Sequence, residues 1–323
     1  MPKVSFVVTV YNKALFLPHV AAALTAQQGA FDREFIFVND GSTDDSRGLL
    51  QQLTARWRDV HIIDQENAGP SAALNAGLRQ VTGNFVKPLD ADDVLTPWAT
   101  RCLIDAVRAT GCQVAYSEQQ HSYDQTISPQ QVLAGLSARH GKVERRDDML
   151  RRSFRRAQTN PTAWLARADL VRQIGGSDTR VFIQDYSIEL RLASESGFAH
   201  VDTQIYLSPM TLDGRLSGNE AQILHDVNLA LAYFLSEHTD IPRTLRRYAF
   251  ARAAGRAAAW ARRRARKGPL SSDLLRYLGA RTGMIPPSFE NCRATCRIFA
   301  ETNEIRRMAD TVQARPYLTV AAV

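Results

Sequence analysis

Three carboxylates stand within four residues at Asp90-Ala91-Asp92-Asp93, directly after the apolar run Phe85–Leu89. Like charges that close raise one another's affinity for protons unless a cation neutralises them. A hard divalent ion with oxygen ligands, Mg²⁺ or Mn²⁺, does this and also holds substrate phosphates. Asp93 capping a following helix, with Asp92 solvated, is the plainer reading of any one of these residues. For the cluster at a strand-end turn, metal and diphosphate binding is the stronger one. An aspartate-nucleophile phosphohydrolase built on Asp90 fits only if this turn follows the first strand, and three strand–turn–helix units precede it. Dinucleotide and phosphate-loop chemistry are excluded more directly. The first strand leads into Tyr11-Asn12-Lys13-Ala14-Leu15, without Gly-x-Gly-x-x-Gly, and no Gly-Lys-[Ser/Thr] loop occurs.

The elements that must position these residues repeat regularly. Val4–Val10 is β-branched and apolar, as a buried parallel strand requires. A helix is expected over Leu15–Gln28, with Pro18 in its first turn and Gly29 ending it. Glu34–Val38 is a second strand, and Asp44 is placed to cap a helix running to about Trp57. Val60–Ile63, a turn at Asn67–Gly69, a helix over Ser71–Val81 and the strand Phe85–Leu89 follow. Thr96-Pro97 reads as the start of another helix. Strand–helix alternation with polar turns after each strand predicts an α/β fold with an open, mostly parallel sheet, whose ligands sit beyond the carboxyl ends of the strands. Residues 117–153 carry weaker periodicity and read as an acceptor-side excursion or a helical insert. Thr159–Ala166 and a helix near Asp185–Ser196 resume the α/β pattern. From about Asn219 the chain reads as all-helical.

Composition sets the bounds. Hydrophobic residues make up 45% of the 323, enough for a sizeable core. The net charge of +7 points to an anionic partner without choosing among them. Cys102, Cys112, Cys292 and Cys296 are too few for a disulfide framework, and Cys292 and Cys296 read as buried thiols. No secretory signal is visible and no run of 18 apolar residues occurs, so a cytoplasmic protein, at most peripheral on the inner face of the cell membrane, is expected. The arginine-rich stretch 243–267 suits either contact with anionic headgroups or a solvated basic face packed on the domain by its alanines. No binding motif or aromatic interleaving accompanies it, so no nucleic-acid partner is expected.

Four segments, Val4–Asn12 (VSFVVTVYN), Phe35–Ser46 (FIFVNDGSTDDS), Asn67–Gly77 (NAGPSAALNAG) and Val86–Leu95 (VKPLDADDVL), resemble in order and spacing the donor domain of family 2 glycosyltransferases of the GT-A fold. Ile174–Leu192 (IGGSDTRVFIQDYSIELRL) resembles the acceptor-side motif of that family. The resemblance covers roughly residues 3–207. It implies a Rossmann-like, mostly parallel sheet flanked by helices, with a helical C-terminal extension. Residues 1–215 would form the transferase domain, with a donor half at 1–118 and an acceptor half at 119–215, and 216–323 the helical region. By the same resemblance, Thr9, Tyr11 and Asp40 contact the nucleobase and Asn67 and Ser71 line its pocket. Asp90 lies near the ribose, Asp92 holds the metal that bridges the donor phosphates, and Asp185 is the general base. From spacing alone, Asp185 is equally a helix-dipole partner.

The implied reaction is an inverting transfer from a nucleotide-diphosphate sugar, a UDP-sugar by default, to a glycan or lipid-linked acceptor. A non-catalytic nucleotide-sugar-binding scaffold is the alternative from another class. Thr9 stands where the family commonly has proline, Asn39 where it has the first of two aspartates, Leu74 where it has arginine, and Gln184 where it has an acidic neighbour of the base. Loss of that acidic neighbour is expected to lower the Asp185 pKa slightly.

Overall fold

The structure, a computed structural model, describes residues 1–306 and 308 apart from 119, 124–127, 138–140 and 211–217. The domain boundary expected at 215 lies outside the described residues. Four strands, β1 (Lys3–Val10), β2 (Asp32–Asp40), β3 (Val60–Gln65) and β4 (Phe85–Asp90), pair in parallel in the order β3-β2-β1-β4. The sheet continues through β9 (Trp164–Arg167), β6 (Val114–Tyr116), β10 (Phe198–Val201) and β8 (Val143–Arg146) to eight strands. β9 runs antiparallel to both β4 and β6, and β8 antiparallel to β10. A smaller sheet has the order β5 (Val94–Leu95), β11 (Tyr206–Pro209), β7 (Gln120–Tyr123). This is the expected α/β architecture of a mostly parallel sheet flanked by helices.

The parallel strands are continuous hydrophobic runs because both faces are covered. Val4, Phe6, Val8 and Val10 of β1 point into one core with Leu17, Val20, Leu24, Leu50 and Leu103. Val7 of β1, with Ile36 and Val38 of β2, points into the other with Leu74, Leu78, Leu170 and Ile188. The first core is covered by α1 (Leu17–Thr25), α2 (Ser46–Thr54) and α4 (Ala99–Thr110). The second is covered by α3 (Pro70–Leu78), α7 (Ala168–Gln173) and α8 (Gln184–Glu195). From β1 the chain winds to β2 and β3 on one side, while β4 lies on the other. The switch point, and with it a crevice at the carboxyl edge, therefore falls beside β1.

Several boundaries differ from the expected ones. α1 is shorter than Leu15–Gln28, with Pro18 at its second position. α2 begins at Ser46, whose N–H is accepted by Asp44 Oδ1 at 3.0 Å, and stops at Thr54 rather than near Trp57. α3 ends at Leu78 rather than Val81. α4 does not start at Thr96-Pro97. Val94 and Leu95 pair with β11, and the Thr96 N–H is donated to Ile205 O at 2.9 Å, so the helix waits until Ala99. The stretch 117–153 holds both β7 and β8 and the helices α5 (Pro129–Ala134) and α6 (Met149–Arg155).

The C-terminal helices are α9 (Glu220–Glu237), α10 (Arg243–Arg263), α11 (Ser272–Thr282), α12 (Phe289–Ala294) and α13 (Arg297–Thr302). Leu231, Phe234, Ala249, Phe250 and Ala254 pack with Phe154, Tyr186 and Leu190 of α6 and α8. The alanines of α10 face this core and its arginines are mostly outside, the solvated-face arrangement. The four cysteines are free, and burial pushes the thiols of Cys292 and Cys296 up to about 12. Among the described residues no helix is long and apolar enough to cross a membrane.

Candidate functional site

The ends of β1, β2 and β4 lie side by side, with Val10 opposite Asn39 and Thr9 opposite Asp90. The turns that follow are tied together. Asn12 takes a left-handed conformation at φ 53°, and its Oδ1 accepts the Thr43 N–H at 2.8 Å. The Lys13 N–H is donated to Ser46 Oγ at 2.9 Å, and the Ala14 N–H to Asp44 Oδ2 at 3.0 Å.

Asp40 is buried at the end of β2. Its Oδ1 accepts from Gln65 Nε2 (2.7 Å) and the Ala68 N–H (2.9 Å), and its Oδ2 from the Gly69 N–H (3.0 Å). Asp40 thus moulds the 67–69 turn against the first strands. Asn39 donates from Nδ2 to Asp64 Oδ1 at 2.9 Å. An aspartate here would face Asp64 with like charge. Thr9 is partly buried and Tyr11 exposed at the same edge. Asn67 is exposed, and its Oδ1 accepts from Arg306 Nη2 at 2.8 Å. Ser71 is placed differently from expectation. It is fully buried, and its hydroxyl is donated to Val181 O at 3.1 Å, tying α3 to the loop before α8 rather than lining a pocket. Leu74 is likewise in the core, so an arginine there would need a different path to the cleft.

The acidic turn divides its labour. Asp93 accepts from Thr162 Oγ1 (2.5 Å) and Ser208 Oγ (2.7 Å), which clips the turn to the 3₁₀ segment Pro161–Ala163 and to β11. It is therefore not a helix cap. The Asp90 N–H is donated to Thr162 Oγ1 at 3.2 Å. Beneath them Lys87 is fully buried, its Nζ donating to Pro88 O (2.9 Å) and Thr162 O (2.6 Å). Burial lowers its pKa to about 7 against the opposing pull of Asp93 and Asp90. Asp92 Oδ2 takes the Lys13 ammonium at 2.7 Å.

Asp185 lies in the first turn of α8. Its neighbour Gln184 donates from Nε2 to Asp90 Oδ1 at 3.3 Å, which joins the acceptor-side helix to the acidic turn. The buried Gln184 Oε1 has no hydrogen-bond partner among the described residues. Burial holds Asp90 well above the usual carboxylate range, helped by Asp93, Asp185 and Asp92. Burial also pushes Asp185 up to about 7, with Glu189 and Asp93 adding to it. This corrects the expectation of a lowered value, because desolvation outweighs the missing acidic neighbour. Glu189 is itself pinned, accepting the N–H groups of Gln158 (2.8 Å) and Thr159 (2.8 Å).

The structure thus brings Thr9, Tyr11, Asp40, Asn67, Asp90, Asp92 and Asp185 to one edge, and it adds Lys13, Lys87, Thr162, Ser208 and Gln184. A lysine inside an apolar strand, and a basic residue straight after a strand-end Tyr-Asn, were signals available in the sequence. Thr162 and Ser208 gave none, being about 70 and 115 positions from the aspartate they hold. A second acidic group, Glu34, Asp59 and His61, could hold an ion by spacing. It lies toward the amino ends of the strands, and Lys3 already bridges Glu34 (3.3 Å) and Asp59 (2.7 Å).

A parallel-sheet switch point with a carboxyl-edge acidic turn, faced by an acidic helix start, defines the GT-A class of α/β proteins. The same fold is found in residues 1–349 of S. aureus TarS (TM-score 0.61, 14% identity, 95% of this chain and 93% of that one). It is also found in the mannosyltransferase PcManGT of Pyrobaculum calidifontis in complex with GDP-Man and Mn²⁺ (TM-score 0.53, 16% identity, 93% and 86%). The family model described as glycosyl transferase family 2 matches residues 5–174, just over half of the chain, and the protein belongs to that family. Its relatives include the uncharacterized glycosyltransferase alr2836 of Nostoc sp. (36% identical over 109 residues, 33% of this chain and 34% of the relative). Another is the succinoglycan biosynthesis protein ExoO of Rhizobium meliloti (32% identical over 115 residues, 36% and 32%). These alignments span about a third of either protein.

Proposed function

We propose that the protein transfers a sugar, with inversion, from a nucleotide-diphosphate donor to a hydroxyl of a glycan or lipid-linked acceptor. The observation that carries this is the meeting of two distant segments. Gln184, adjacent to Asp185, bonds Asp90 at 3.3 Å, so a base candidate faces an acidic turn across one cleft. In this reading residues 1–118 bind the donor, 119–215 present the acceptor, and 216–323 form a helical region whose stretch 243–267 is the candidate for headgroup contact. A UDP-sugar is the default donor. S. aureus TarS crystallises with UDP-GlcNAc (TM-score 0.56, 15% identity) and PcManGT with GDP-Man.

Thr9, Tyr11, Asp40 and Asn67 border the nucleobase, Ser71 supports them from beneath, and Asp90 lies by the ribose. Asp90, Asp92 and Asp93 offer crowded carboxylate oxygens, the ligand type Mg²⁺ or Mn²⁺ takes, and a cation, the Lys13 ammonium, already sits on Asp92 Oδ2 at 2.7 Å. Asp92 would hold the ion, which when bound neutralises charge on the departing diphosphate.

The rest falls to side chains. Lys13 supplies a further positive charge at the acidic turn. Thr162 and Ser208 keep Asp93 fixed so that the turn does not shift as charge develops. Asp185, with its pKa near 7, is poised to accept the acceptor's hydroxyl proton at neutral pH, typically a ~10²–10⁴-fold effect. Chromatography of nucleoside diphosphate released from a panel of nucleotide sugars with Mn²⁺, and the anomeric configuration of the product by NMR, test the proposal. Retention of configuration would refute the single-displacement mechanism, and absence of release and of binding for every donor would refute the transferase reading.

A further inference from the structure

The chain after α13 returns to the donor edge. The Arg306 N–H is donated to Gln222 Oε1 at 2.8 Å, and Arg306 O accepts from Gln222 Nε2 at 3.2 Å. The same Gln222 Nε2 reaches Asp226 Oδ2 (3.1 Å), which also accepts the N–H groups of Phe182 (3.1 Å) and Ile183 (3.0 Å). The buried Asp226 carboxylate therefore holds Phe182 directly and the Arg306 backbone through Gln222. The Arg306 guanidinium stacks 4.5 Å over the Phe182 ring and donates to Asn67 Oδ1 at 2.8 Å. The Phe182 ring lies against Gly69, where an added Cβ would meet it at 3.2 Å and Met308 Cε at 3.7 Å. Gly69 is the residue whose N–H is bound by Asp40. Asp40, Gly69, Phe182, Arg306 and Asn67 thus make one continuous wall.

We infer that Arg306 is a nucleobase-binding residue delivered from the C-terminal segment, supplying donors to a base carbonyl beside the ring N–H that the family resemblance already assigns to Asp40. This rests on the nucleotide-donor reading above. A guanidinium has five N–H groups in a fixed fork and no acceptor. Stacking on Phe182 and the bond to Asn67 hold that fork in place, leaving donors for a carbonyl oxygen. Asp40 accepts only and suits the adjacent ring N–H. Uracil, thymine and guanine present this pair. Cytosine and adenine do not, because each carries an amino donor beside an unprotonated ring nitrogen. Leu74, where the family resemblance leads one to expect arginine, is buried here, and Arg306 brings a cationic group to the donor side from about 230 residues further along the chain.

The test is calorimetric titration of UDP, TDP, GDP, CDP and pyrophosphate, each with Mn²⁺, into wild type and Arg306→Ala. Arg306 is exposed, so the variant should fold, and an unchanged melting profile checks this. Wild type should bind at least one of UDP, TDP and GDP more tightly than CDP. Arg306→Ala should weaken that ligand roughly 10- to 100-fold, the effect of losing a hydrogen bond from a charged donor. It should narrow the margin over CDP and leave pyrophosphate unchanged. Arg306→Lys should recover only part of the loss. Equal weakening of pyrophosphate, or unchanged affinity for every nucleotide, overturns the inference. Binding of no nucleotide by wild type overturns the donor reading itself.

Discussion

Replacing Asp185 by asparagine removes a negative charge while keeping the shape, and it separates the chemistry of this residue from its effect on stability. Burial raises the carboxyl from 3.8 to about 7. At about 1.36 kcal/mol for each tenfold change in proton affinity, holding it ionised in the folded protein costs about 4 kcal/mol. Asp185 keeps partial contact with solvent, so about 2–4 kcal/mol is the working range. Because the folded value lies above the unfolded one, the stability this group contributes is complete below pH 4 and lost as the pH rises through about 7. Asp185→Asn should therefore raise the melting temperature at pH 8 by roughly 3–8 °C and leave it nearly unchanged at pH 4. Donor turnover should fall by ~10²–10⁴, and the wild-type rate should climb with pH through about 7 as the base ionises. Melting by circular dichroism at the two pH values, with turnover measured in parallel, decides the matter. A melting difference equal at both pH values would refute the burial argument, and turnover within tenfold of wild type would refute the base assignment.

Asp92→Ala, or chelation of the wild type, should abolish release of nucleoside diphosphate. Activity that persists in both would remove the metal from the reading. Because Lys13 competes for Asp92 Oδ2 at 2.7 Å, Lys13→Met should bind Mn²⁺ more tightly in a calorimetric titration yet turn over more slowly. Thr162→Val deletes the hydroxyl shared by Asp93 and the Asp90 N–H. It should cost about 1–3 kcal/mol in denaturant unfolding and lower kcat, whereas unchanged kcat would mean that the turn holds its shape without it.

The parallel core was legible because its strands are uninterrupted apolar runs, each closed by a polar turn, and periodicity needs no tertiary information to be read. The acidic cluster was legible for a similar reason, since three neighbouring carboxylates demand an explanation wherever they fold. Helix starts were read less well. Thr96-Pro97 has the local chemistry of a helix N-terminus, but β11, more than a hundred residues later, claims Val94 and Leu95 for a sheet.

Side-chain duties were decided by the fold. Local sequence cannot tell that Asp93 is clipped by Thr162 and Ser208 while Asp92 meets Lys13, nor that Ser71 turns inward to Val181. It also misjudged Asp185. Counting neighbouring charges along the chain predicts a lowered pKa, while the protein around the carboxylate raises it to about 7. By itself the sequence determined the layered architecture and the kind of chemistry, because burial patterns and charge crowding are local. Only the tertiary structure decided which carboxylate does what and brought Arg306 to Asn67, because desolvation and hydrogen bonding depend on residues scores or hundreds of positions away.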